Sequence, residues 1–238
     1  MEMNDTAGGF FDYMLTRKRT KNMRIRVTGA SKVVVCAPYH LPESRIRQFV
    51  ADNSVKIQAS LYKIDSRRRL YYPTEYRDGE DFWYLGGKTP IRVMAAKKAS
   101  AVYCDGELIL NVPETSGFGQ RKTVFTRWAK RQAKAVFEER ASGILPCFSG
   151  LLKQDIRISV KNMLSRWGSI NTSRHTISLS VHLLRCEPEL IDYIITHELC
   201  HLKCLNHSKA FYRELEKFFP DRKRLDKRLK EYGLVDFW

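Results

Sequence analysis

The period of the apolar positions changes midway along this 238-residue chain. In "MRIRVTGASKVVVCAP", Ile25 and Val27 alternate with arginines, a turn falls at Thr28–Lys32, and Val33–Val35 resume the apolar run. That pattern predicts a β-hairpin. "LPESRIRQFVADNSVKIQASLYKI" has helical spacing behind a proline and predicts one helix over 42–65. "FWYLGGKTPIRVMAA" and "SAVYCDGELILNV" read as two further hairpins, turning at Gly-Gly and Asp-Gly. Residues 1–22 read as a poorly ordered tail or a first edge. The first 115 residues are therefore expected to be mostly antiparallel β with one helix.

Helical periodicity dominates afterwards. A long helix is predicted over 119–144, with apolar residues at 124, 125, 128, 136 and 137. "DIRISV" and "TISLSV" read as strands. A helix over 188–203 opens with Pro188 in its first turn. "SKAFYRELEKFF" is a second helix, N-capped by Ser208, and "DRKRLDKRLKEYG" closes the chain. The fold class is α+β. The turn-rich "PETSGFG" sets the expected boundary between a β-rich N-terminal domain, 1–118, and a second domain, 119–238.

The helix at 188–203 does not keep a purely apolar face. Stepping 100° per residue, Leu190, Ile191, Ile194, Ile195, Leu199 and Leu202 share one arc. His197 and His201 stand at its edge and Glu198 falls inside it. A carboxylate on a core face is unfavourable unless something there uses it. "HELCH" supplies the use: histidines four apart on a helix can share a zinc ion, and the glutamate between them takes a proton from the water that the zinc activates. A third ligand would complete a catalytic site. His207 reaches it only if the helix stops and the chain turns at Leu205–Asn206, with Asn206 suited to a left-handed residue. Cys204 is the rival and needs only one more helical turn. His207 is preferred, because Ser208 starts a new helix directly after it.

Composition adds bounds. No apolar run reaches the ~18 residues of a membrane span, and the N-terminus lacks the order of a signal peptide, so a cytoplasmic location is expected. The six cysteines are scattered without a CxxC pair, which argues against a zinc ribbon or a disulfide framework. The net charge is +16. Residues 1–150 hold 26 Lys+Arg against 15 Asp+Glu, and six basic residues and no acid fall in "RKRTKNMRIR", 17–26. A solvated basic surface explains this, and so does nucleic-acid binding through the basic N-terminal half.

"SRWGS" (165–169) and "ISLSVHLLRCEPELIDYIITHELCHLKCLNHSKAFY" together resemble the YgjP-like metallopeptidase family, kin to SprT-like zincins. The N-terminal "KNMRIRVTGASKVVVCAPYHLPESRIRQFV" is similar to the family's first hairpin and helix. The resemblance implies a zincin-like second domain, its HExxH helix packed on a short sheet. It implies Zn2+ held by His197, His201 and His207, Glu198 as catalytic glutamate, and a loop of Arg166, Trp167, Gly168 and Ser169 close to the site. Arg166, Trp167 and Ser169 are candidates for positioning substrate. The chain departs from the family at Ile170, usually Cys, and at Ser180 and His182, usually Asn and Arg. His175 and His182 are further candidates for an electrophile near the metal, or else ordinary surface or core histidines.

The expected function is zinc-dependent hydrolysis of a peptide. The alternatives are hydrolysis of a nucleoside triphosphate, a SprT-like protease associated with nucleic acid, and a binding module with a dead site, against which the intact Glu198 speaks. The oligomeric state is not set by any of these features.

Overall fold

A computed structural model describes residues 4–5, 12–152 and 154–234. They fall into two compact units, Met1–Leu70 and Tyr71–Trp238.

In the first unit a mixed sheet has the order β1 (Asn4–Asp5), β2 (Tyr13–Lys18), β4 (Val33–Pro38), β3 (Arg24–Val27). The expected hairpin is β3–β4, antiparallel with Val27 opposite Val33. Residues 1–22 were expected to be a tail or a first edge; β2 lies inside the sheet, next to β1, and pairs in parallel with β4, a register that no local turn announces. Every second residue of β4 turns inward, so Tyr13, Val33, Val35 and Ala37 meet Ile46, Val50 and Ile57 in the core. The single helix expected over 42–65 is two, α1 (Glu43–Asp52) and α2 (Ser54–Tyr71). The break is Asn53, at φ −103° and ψ 8°, whose side-chain amide donates to the Phe49 carbonyl. An asparagine that bonds its own preceding turn competes with continuation of the helix.

In the second unit the two expected hairpins are present. β5 (Asp81–Tyr84) pairs with β6 (Gly87–Ala95), and β7 (Ser100–Cys104) with β8 (Glu107–Val112). Both two-residue turns have positive φ at both positions: Leu85 (47°) and Gly86 (87°), then Asp105 (50°) and Gly106 (83°). The first turn is thus Leu-Gly, not Gly-Gly, because Gly87 already starts β6. β6 and β8 run parallel, so this sheet is mixed instead of antiparallel. On it packs α3 (Phe118–Ile144), whose Phe125 and Trp128 rings lie 5.3 and 5.5 Å from Phe82.

A three-stranded sheet follows, in the order β10 (Gly168–Asn171), β11 (Thr176–Ser180), β9 (Arg157–Lys161). β11 lies at its centre, parallel to β9 and antiparallel to β10. α4 (Pro188–Cys200) packs on β10 and α3, and α5 (Lys209–Glu216) and α6 (Arg222–Tyr232) complete the unit. No helix among the described residues is long and apolar enough to cross a membrane.

Candidate metal centre

α4 buries Leu190, Ile191, Ile194, Ile195 and Leu199, as its periodicity requires. It ends at Cys200, three residues earlier than expected. His201 N–H donates to the Glu198 carbonyl and Leu202 N–H to that of Leu199, so the last turn tightens to the i→i+3 pattern. That tightening reverses the chain without a left-handed residue: Asn206 does not have a positive φ, contrary to expectation. Ser208 then caps α5, its hydroxyl accepting from the Phe211 N–H.

The short connection brings His207 back onto α4. One ring nitrogen from each of His197, His201 and His207 lies within 4.8 Å of the others. His197 Nε2 and His207 Nε2 are 3.0 Å apart. His201 Nδ1 is 3.0 Å from the Cys204 carbonyl; donation of its proton there leaves Nε2 for a ligand. Cys204 thus meets the cluster through its backbone, and its thiol lies outside the group of three. Phe211, fully buried on α5, has its ring 4.8, 4.6 and 4.8 Å from the rings of His197, His201 and His207. Burial, followed by the neighbouring His201 and His207, lowers the His197 pKa to about 4. Burial also lowers that of His201. Both imidazoles are therefore neutral near pH 7, the form that binds metal. Zinc–nitrogen bonds of about 2.0–2.1 Å set ligand nitrogens roughly 3.3 Å apart, within the spread found here, so the donor set fits that ion.

Glu198 lies against β10, lines the same cavity as the three histidines, and is 7% exposed. Burial raises its pKa to about 7, opposed by a backbone hydrogen bond from Ile170 and by the charge of Arg166. The strand comes this close because residue 168 is glycine. A Cβ there would lie 2.8 Å from Glu198 Oε1, 2.9 Å from its Cγ and 2.9 Å from Ile194 Cγ2. Gly168→Ala is accordingly expected to displace the carboxylate, lowering kcat by about 10²-fold while metal content stays at the wild-type level. Metal analysis beside a turnover assay checks both halves.

A cavity of about 890 Å3 opens over this constellation. Arg166, Trp167 and Ser169 line it, as do Tyr193, Asp226 and Lys230. The expected loop 166–169 is only half a loop, because Gly168 and Ser169 belong to β10, with Ser169 opposite Ser178. Tyr193 and Asp226 gave no sign in the sequence; Tyr193 donates its hydroxyl proton to Asp226 Oδ1 at 2.8 Å. His175 and His182 do not line the cavity. His182 is a core histidine, 1% exposed, with Nδ1 2.8 Å from the Tyr72 hydroxyl and Nε2 2.8 Å from Asn162 Oδ1. His175 sits at φ 46° in the turn before β11.

The site is thus a helix bearing HExxH beside a short sheet, with a third imidazole folded back onto it. The chain belongs to the YgjP-like family: the family model described as YgjP-like, metallopeptidase domain, matches residues 21–232. An uncharacterized protein of Methanocaldococcus jannaschii is 32% identical over 71 residues, which are 29% of this chain and 64% of that protein. The chain thus spans less than two thirds of that relative's length. Among solved structures, the metallopeptidase zymogen jannalysin of M. jannaschii is 25% identical, with a TM-score of 0.36, over 40% of this chain and 94% of its own. The metallopeptidase zymogen abylysin of Pyrococcus abyssi is 26% identical, with a TM-score of 0.34, over 40% and 99%.

Proposed function

We propose that this protein is a zinc-dependent peptidase in which His197, His201 and His207 hold the metal and Glu198 is the general base. The observation that carries this reading is the convergence of three imidazole nitrogens within 4.8 Å beside a buried carboxylate. Zinc held by the three imidazoles would supply a Lewis acid able to polarise a carbonyl and acidify a water. Glu198 accepts a proton at its carboxylate and returns it to the leaving amine. The backbone of β10 fixes where that carboxylate stands, through the Ile170 N–H and the missing side chain at Gly168. Among the described residues β10 is an edge strand of its sheet, and its Ile170 N–H is engaged by Glu198. Arg166, Trp167 and Ser169 line the cavity and contact the substrate.

A second reading is favoured by Arg166 and Lys230, two cations lining the same cavity. They suit a polyphosphate substrate such as a nucleoside triphosphate. One experiment separates the two. Protein stripped with a chelator and reloaded with zinc is assayed on a peptide panel and a nucleoside triphosphate panel side by side. Peptide cleavage is expected to vanish on stripping and to return at about one zinc per chain. Cleavage of triphosphates alone would replace the peptidase reading with the second.

A further inference from the structure

The two edges of the three-stranded sheet face different chemistry. β10 lines the metal cavity, and β9, at the opposite edge, lines a separate groove of about 750 Å3 against α3. Arg127, Lys130, Arg131 and Lys134 line this groove from α3, and Arg157 lines it from β9. The four α3 positions recur at i, i+3, i+4 and i+7, so they share one face over about 10 Å of helix.

No acidic side chain lines the groove among the described residues. The nearby Glu138 lies 3.8 Å from Lys134, a loose and exposed contact. Arginines elsewhere in this unit meet acids closely: Arg222 with Glu216 at 2.7 Å, Arg224 with Glu189 at 2.6 Å, Arg228 with Glu187 at 2.6 Å. The groove between α3 and β9 instead carries five cations and no acid in its lining among the described residues, with Arg131 donating to the Ala101 carbonyl at 3.0 Å. Ile158 and Val160 give the groove an apolar component, and its lining contains no aromatic ring.

We propose that this groove binds the sugar–phosphate backbone of a nucleic-acid strand, without preference for base sequence. Cations on two facing walls match a linear array of phosphates better than a single compact anion. Without aromatic rings there is no platform on which bases stack, so sequence goes unread. Two strand spacings, about 10 Å, separate β9 from β10. A strand held here therefore lies across the sheet from the metal cavity and leaves that cavity open.

Charged side chains beside an open edge strand also deter edge-to-edge association, and the test separates that role. Affinity for a short fluorescein-labelled single-stranded oligonucleotide is measured against salt for three proteins. They are the wild type, the triple variant Arg127→Ala/Lys134→Ala/Arg157→Ala, and the triple variant Lys18→Ala/Lys21→Ala/Arg24→Ala, which removes equal charge from the basic N-terminal stretch. The groove variant is expected to bind about a hundredfold more weakly at ~0.1 M salt and to flatten the slope of log K against log salt by about 2. The N-terminal variant should stay within a few-fold of wild type. Circular dichroism verifies folding; should the triple variant misfold, Arg157→Ala alone is expected to lose about fivefold and about 0.7 of slope. Equal losses in both triple variants would leave only a basic surface. Unchanged affinity with new aggregation would leave only edge protection. Saturable binding of inorganic triphosphate with no oligonucleotide binding would make the groove a small-anion site.

Discussion

Glu198→Gln is expected to keep about one zinc per chain and to lose peptide turnover by roughly 10²–10⁴-fold, the usual range for removing a general base. The substitution preserves shape, which matters here because the slot against β10 is tight. Gly168 already approaches so closely that one added carbon would touch Glu198. A glutamine fits that slot and its amide oxygen still accepts from the Ile170 N–H, but it takes up no proton. The substitution leaves the three imidazole nitrogens, a group that does not include Glu198, in place, so zinc content should hold. Removing a buried carboxylate also removes a desolvation penalty, so the thermal midpoint should not fall. Turnover, metal content and melting, measured on one preparation, distinguish the roles. Full activity in the variant would make Glu198 a structural residue.

His207→Ala should lose zinc during dialysis against a weak chelator, whereas Cys204→Ala should retain about one zinc per chain. His207 Nε2 lies 3.0 Å from His197 Nε2, and removing one of three protein ligands should weaken binding beyond the about 10–100-fold typical of an outer group. Cys204 meets the cluster through its carbonyl, which accepts from His201 Nδ1, and an alanine keeps that carbonyl. Zinc loss from Cys204→Ala, with His207→Ala still metallated, would move the third ligand to the thiol.

The parts of the site that could be read from the chain are those whose cause is local. Glu198 stood out because it occupied a core-facing position on a helix whose neighbours on that face are Ile and Leu. Ser208 was legible as a cap because a helix start is decided within four residues. The role of Gly168 was not legible, since its absent side chain makes room for a residue thirty positions later. Phe211 looked like any apolar position of an amphipathic helix until α5 folded it beneath three imidazoles. The break at Asn53 was passed over because apolar spacing continues across it, while the side-chain bond to Phe49 that favours the break leaves no mark on that spacing.

By itself, then, the sequence determined the HExxH helix, the short step to His207, the Asp-Gly hairpin and the long helix α3. Each depends on contacts within one or two turns of chain, and periodicity reports such contacts directly. Tertiary structure alone decided the order β10–β11–β9, the parallel pairings of β2 with β4 and of β6 with β8, and the meeting of Arg157 with the cations of α3. A parallel pair has no connecting turn to announce it, and an open edge is defined only by the strand that is missing beside it. The three histidines and Glu198 therefore lie in one segment of the chain, whereas the surfaces on either side of the sheet exist only once distant strands have paired.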